Sequence, residues 1–115
     1  MNIENFRTYC LSKKGVTEEF PFDESTLVFK VGGKMFTLLD VDTFESVNLK
    51  CDPEKAIELR ERFPAVKPGY HMNKKHWNTV KMDGSVPDSL ISEWVDDSYA
   101  LVFEKLPKAV KAGIS

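Results

Sequence analysis

Apolar residues recur at two spacings along this chain, and the switches between them divide it into short elements. Ile3, Phe6, Tyr9 and Cys10 share one face at helical spacing, and Gly15 follows Lys13 and Lys14, so a first helix is expected to end there. In VTEEFPFDES, Pro21, Asp23 and Ser25 predict a loop. The period then drops to two: Leu27, Phe29 and Val31 alternate with Thr26, Val28 and Lys30. Gly32-Gly33 reverses the chain into KMFTLLD, the pattern of a hairpin with a two-residue turn. SVNLKC alternates again and predicts a third strand.

Asp52 is a good helix N-cap, Pro53 suits the first helical position, and Glu54 faces the positive end of the helix dipole. Ala56, Leu59 and Phe63 supply the apolar stripe of this second helix until Pro64 stops it, with Glu58 and Arg62 paired on its outer side. Pro68-Gly69 predicts a turn, GYHM and HWNTVKM read as strands, and Asn73-Lys74-Lys75 would be the tip between them. Asp83-Gly84 turns the chain once more. Pro87 and Asp88 open the longest helix, whose apolar positions run from Leu90 to Leu106 and which Pro107 ends. Ser98, after Asp96-Asp97, marks where it would break in two. The tail KAVKAGIS is expected to fray.

The expected order is α-β-β-β-α-β-β-α. This is an α+β fold in which an antiparallel sheet carries its helices on one face, and the 115 residues fill a single domain spanning 1–115. The opening MNIENFRTYC lacks the apolar run of a signal peptide, and no stretch approaches the length of a membrane span. A soluble, cytoplasmic protein that does not enter a membrane is expected. Cys10 and Cys51 sit in register with apolar neighbours, so both are expected to remain reduced and to serve as small core residues.

Charge changes this picture at one place. The net charge is −2, from 16 Lys plus Arg against 18 Asp plus Glu. Yet residues 67–81, KPGYHMNKKHWNTVK, hold four lysines, two histidines, a tryptophan and a tyrosine without one carboxylate. Removing those four lysines from the 16 leaves 12 against 18, so the rest of the chain stands at −6. An anionic partner is best sought here.

Alternation sharpens the expectation. If Leu27, Phe29, Val31, Val47, Leu49, Val80 and Met82 lie under the helices, then Lys30, Lys50, Trp77, Thr79 and Lys81 lie on the opposite face. Lys30, Lys50 and Lys81 around Trp77 would make a cationic platform with a stacking residue, and Lys74 and Lys75 at the hairpin tip, with Lys67 beside them, would contact phosphates. The same lysines and threonines equally suit an open sheet kept soluble, with Trp77 packed away and the tip simply solvated. Four phosphate contacts would give a log-log salt slope of roughly −3.6, so binding to DNA or another nucleic acid should be weak and salt-dependent. The competing expectation is a protein-interaction module meeting an acidic partner surface, which the negative net charge suits.

Catalytic and metal chemistry finds little support. His71 and His76 lack a CxxC, HxxxH or HExxH context, VGGKM lacks phosphate-loop spacing, and no nucleophile elbow is present. No enzyme activity, cofactor or metal is expected.

Three stretches nonetheless resemble a known family. PFDESTLVFKVGGKMFTLLD, VNLKCDPEKAIELRERFPAVKPGYHMNKKHWNTVKMDG and PDSLISEWVDDSYALVFEKLPK are similar to the MmcQ/YjbR family of small bacterial proteins. The most specific pieces are PF at Pro21-Phe22, GKMF, LKCDPE, GYHMNKKHWNTV and DSYALV. The resemblance implies a CyaY-like (frataxin-like) fold, also described as a double wing, and an assignment to DNA binding. It marks Tyr70, His71, Lys74, Lys75, His76 and Trp77 as the signature stretch without giving each a role. Frataxin-like proteins handle iron on an acidic first helix and the strand after it. Here that helix offers only Glu4 among Arg7, Lys13 and Lys14, which argues against transferring iron chemistry.

Overall fold

A computed structural model describes residues 1–114. Among them are α1 (Ile3–Leu11), β1 (Val16–Glu19), β2 (Thr26–Val31), β3 (Lys34–Asp40), β4 (Ser46–Lys50), α2 (Pro53–Arg62), β5 (Val66–Pro68), β6 (Trp77–Lys81), α3 (Asp88–Glu104) and α4 (Lys108–Ile114). The strands form one six-stranded antiparallel sheet in the order β1-β2-β3-β4-β6-β5. Phe6 and Cys10 of α1, Ala56 and Leu59 of α2, and Ile91, Trp94, Val95 and Val102 of α3 share one core with Leu27, Phe29, Val31, Val47, Leu49 and Val80 of the sheet. The α+β expectation, with helices on one sheet face, therefore holds.

Local chemistry explains most boundaries. Asp52 caps α2 by accepting from the amides of Glu54 and Lys55, and Asn2 caps α1 through the Asn5 amide. Gly32 and Gly33 both take positive φ, +58° and +80°, as a two-residue hairpin turn requires. A methyl group on Gly32 would also meet the Leu106 side chain at 2.6 Å.

Four local expectations change. Val16–Glu19 is a strand, although Pro21 and the turn residues after it suggested one continuous loop. Val16 and Glu18 point inward and Thr17 and Glu19 outward, and pairing with β2 is enough for an edge strand. The segment GYHM is not a strand. Pairing stops at Pro68, where the Gly69 amide donates to the Trp77 carbonyl at 2.9 Å, and His71 then takes a left-handed φ of +57° that breaks the extended run. Ser98 does not interrupt α3, because its hydroxyl is used across the core. The tail forms α4 over Lys108–Ile114, with Ile114 against Gly15 and Val110 near Gly32. Ser115, the last residue of that tail, lies outside the described residues.

The central irregularity is a β-bulge. Phe29 pairs with Thr37 and Lys30 with Met35, so Phe36 is the additional residue, and it turns into the core. β4 pairs with β3 only from Thr37 to Leu39 and then departs toward α2, leaving the first residues of β3 without a neighbour on that side. Ser98, fully buried, fills this parting: its hydroxyl accepts from the Lys50 amide at 2.9 Å and donates to the Phe36 carbonyl. A polar residue in mid-helix is thus the bridge between two strands that have stopped bonding each other.

Candidate nucleic-acid interface

The sheet topology sorts charge along the strands. At one end lie Lys34 at the start of β3, Lys50 at the end of β4, and Lys74 and Lys75 just before β6. At the other end, Asp40 closes β3, Asp42 and Glu45 occupy the turn to β4, and Asp83 follows β6. Lysines predominate at one end of the sheet and carboxylates at the other, in residues that the linear order scatters.

The parting between β3 and β4 opens at the basic end as a notch of about 430 Å³, lined by Lys34, Lys50 and Lys105 with Met35, Trp77, Val102 and Leu106. Among the described residues no carboxylate lines it. Partial burial, and then the neighbouring charge of Lys105, pulls the Lys50 ammonium below its usual value. Lysines converging without a counter-charge repel one another, and a bound anion relieves that cost. Lys34 and Lys105 were missed by sequence reasoning. Each looks like an ordinary surface lysine in its own element, and only the end of α3 packing beside the β2–β3 hairpin brings them together.

The candidates of the sequence scatter differently. Trp77 faces away from the helices, as alternation requires, but it is only 7% exposed: Val28 and Leu38 cover it, with Met35 and Met72 packed against them. It has no free face on which a base stacks. Lys50 is the cross-strand partner of Trp77 and belongs to the notch. Lys30 is tied to Glu19 in an ion pair, so it does not join a platform around Trp77. Lys81 pairs in register with Ser46, at the acidic end, and Lys67 sits on the edge strand opposite Thr79.

The tip between β5 and β6 is a folded clasp rather than a free wing. Asn73 accepts from the amides of Lys75, His76 and Trp77 through its side chain or carbonyl. The Lys74 ammonium donates back to the Gly69 carbonyl at 3.0 Å, so Lys74 closes its own loop. Arg60 of α2, which sequence reasoning also passed over, donates to the Asn78 side chain at 2.7 Å and to the carbonyls of Lys74 and Trp77. A buried asparagine shortly after a basic turn was the only signal for such a clamp. His76 contributes its carbonyl to the Cys51 amide at 2.7 Å, whereas Tyr70 and His71 stand over the outer sheet face with rings 4.0 Å apart. Lys75 remains exposed beside the notch end of the sheet.

Among the described residues, no three His, Cys, Asp or Glu side chains gather as a metal site, and no helix is long and apolar enough to cross a membrane. Glu18 of β1 forms an ion pair with Arg7 of α1. Both cysteines are buried and unpaired, and burial pushes the Cys10 thiol up to about 12 and raises Cys51 as well. Neither should react with a disulfide reagent near pH 8 until the chain unfolds. Two thiols titrating within the mixing time in native buffer would contradict this placement.

Comparison with known proteins agrees with the architecture. The family model described as YjbR matches residues 11–101. The chain is 38% identical over 109 residues to the uncharacterized protein YjbR of Escherichia coli K12, covering 94% of this chain and 92% of that protein. It is 40% identical over 90 residues to the uncharacterized protein YbdF of Escherichia coli O157:H7, covering 77% and 74%. The crystal structure of Deinococcus radiodurans protein DR2400, a DUF419 domain, superposes with a TM-score of 0.92 at 42% identity, over 98% of this chain and 87% of that one.

Proposed function

The chain belongs to the YjbR family, and from that premise we propose that it is a cytoplasmic, non-enzymatic domain that binds nucleic acid through the basic end of its sheet. The observation that carries this reading is the notch in which Lys34, Lys50 and Lys105 converge with no lining carboxylate. Lys75 extends the same surface. The lysines neutralise phosphates and fix position on the strand, while base identity goes unread. This re-centres the interface on Lys50 and Lys75. Trp77 becomes the floor of the site, Lys74 its clasp, and Lys30, Lys67 and Lys81 lie outside it.

The opposed acidic end gives the molecule a charge dipole, which orients it toward an anionic strand despite its net charge of −2. It also permits a second reading, an acidic protein surface docking on the same lysines.

The test is a titration of single-stranded and duplex DNA at about 50 and 200 mM salt, within the usual non-specific range of roughly 10⁻⁴ to 10⁻⁶ M. On duplex DNA the native chain should show a log-log slope no steeper than about −3.6 for four lysines, and the Lys34→Gln, Lys105→Gln variant one nearer about −1.8; on single strands the two should be about −2.8 and about −1.4. Lys67→Gln, Lys81→Gln should change little. No binding at about 50 mM salt and 100 μM protein would sink the proposal, and capture of one acidic protein through the same lysines would favour the second reading.

A further inference from the structure

A cleft of about 580 Å³, larger than the notch, lies on the outer sheet face. One wall is the loop between β1 and β2, which presents Phe22 and Asp23, and the other is the loop after β5, which presents Tyr70, His71 and Met72. Leu38 and Asn48 lie in its floor and Asp40 at its end. Both walls are held in place. The Tyr70 amide donates to the Thr79 hydroxyl at 2.9 Å, and Thr79 in turn donates to Asn48. Across the cleft, Ser25 donates to Asp42 at 2.8 Å, and its carbonyl accepts from the Val41 amide at 2.8 Å.

Two features have no role in holding the fold together. Phe22 and Tyr70 are 66% and 69% exposed, so neither gains much from burial, yet they rim the same cleft. His71 keeps its left-handed backbone beside them, a conformation that costs about 1 kcal/mol or more for a residue other than glycine. Exposed aromatic side chains on both walls of a cleft that Met35, Leu38 and Leu39 also line are the usual lining of a small-molecule site, and the volume lies within the range for one.

The geometry points to a second ligand site in this cleft, for a small organic cation with an aromatic body. Charge decides the class. Asp23 and Asp40 line the cleft, while among the described residues no lysine or arginine does. The amides of Thr26 and Ser25 hold the Asp23 carboxyl below its ordinary range, so it presents charge at neutral pH. Asp40 spends one oxygen on the amides of Asp42 and Thr43, leaving the other for a ligand. The π-faces of Phe22 and Tyr70 attract a cation and also cover an aromatic body. An anionic ligand would face two carboxylates with His71 and neutral polar groups, and no lysine or arginine to pair with. The site is independent of the basic notch, from which Met35 separates it.

The experiment compares three probes of one shape, 2-phenylethylammonium, 2-phenylethanol and 3-phenylpropanoate, by ligand-observed NMR against the intact chain. The cation should bind at least about tenfold better than the alcohol, the worth of a charge-assisted hydrogen bond, and the carboxylate should not bind. Asp40→Asn keeps the acceptor that holds its turn, so it should fold and reduce the cation to the level of the alcohol. Tyr70→Ala and Phe22→Ala, both on exposed side chains, should weaken the cation and the alcohol together. The Lys34→Gln, Lys105→Gln variant should bind the cation as the native chain does. The proposal is overturned if the cation fails to bind at about 10 mM, a threshold already generous for a cleft of this kind. Equal binding of all three probes overturns it too, as does full affinity in both aromatic variants.

Discussion

Trp77→Ala should destabilise the protein by about 3 to 5 kcal/mol, lowering the melting temperature by about 12 to 20 °C in a chain of this size. The reason is position. Trp77 begins β6 on the outer face, where an unburied indole would be free to stack on a base, but Val28, Leu38, Met35 and Met72 enclose it. Truncation leaves a cavity beneath the loop that carries Lys74 and Lys75, and it removes the floor of the basic notch. Trp77→Phe keeps most of the fill and should recover at least half of the loss. Chemical denaturation of the three proteins decides the matter. A base-stacking residue would give the reverse outcome, with stability unchanged and roughly 1 to 3 kcal/mol of single-strand affinity lost.

Ser98→Ala should cost about 2 to 4 kcal/mol, far more than removing a hydroxyl from a helix surface. Ser98 is enclosed, and its hydroxyl bonds both the Lys50 amide and the Phe36 carbonyl where β4 leaves β3. Without it, two backbone groups at the parting lose this partner, and each such loss at a buried group costs roughly 1 to 3 kcal/mol. Ser89→Ala, at an exposed position in the first turn of the same helix, should change stability by less than about 0.5 kcal/mol. Amide exchange gives the local readout. The Lys50 amide should lose protection in Ser98→Ala well before the amides of β2 do. If Lys50 exchanges as in the native chain, the bridge is not what holds the parting closed. Because Lys50 also lines the notch, weaker nucleic-acid binding should accompany the loosening.

Several parts of the fold were legible in sequence because their causes are local. The Asp52-Pro53-Glu54 start of α2 acts within one turn, and the Gly32-Gly33 hairpin needs only two residues with positive φ. The alternation from Thr26 to Val31 fixed which side chains face the helices, and the same rule sent Trp77 outward. Where expectation and structure part, a partner distant in sequence intervenes. Val16–Glu19 becomes a strand because β2 offers an edge, and α4 forms where Gly32 and Gly15 leave room for Val110 and Ile114.

The candidate interface shows the same division. The carboxylate-free run from Lys67 to Lys81 pointed to a basic surface; Lys50 lines the notch, and Lys75 of that run stays exposed just before β6. Lys34 and Lys105, from the hairpin and from the end of α3, complete the notch without any local motif to announce them. Charge content is a property of the chain, whereas convergence of charge belongs to the packing.

By itself, then, the sequence determined the α+β class, the apolar face of each long element and the segregation of charge, since these follow from periodicity and composition. Only the tertiary structure decided which lysines stand free, that Trp77 is enclosed and that Ser98 bridges two strands. Each of those outcomes depends on groups far apart in the chain competing for the same space and the same hydrogen bonds, and no local pattern encodes who wins.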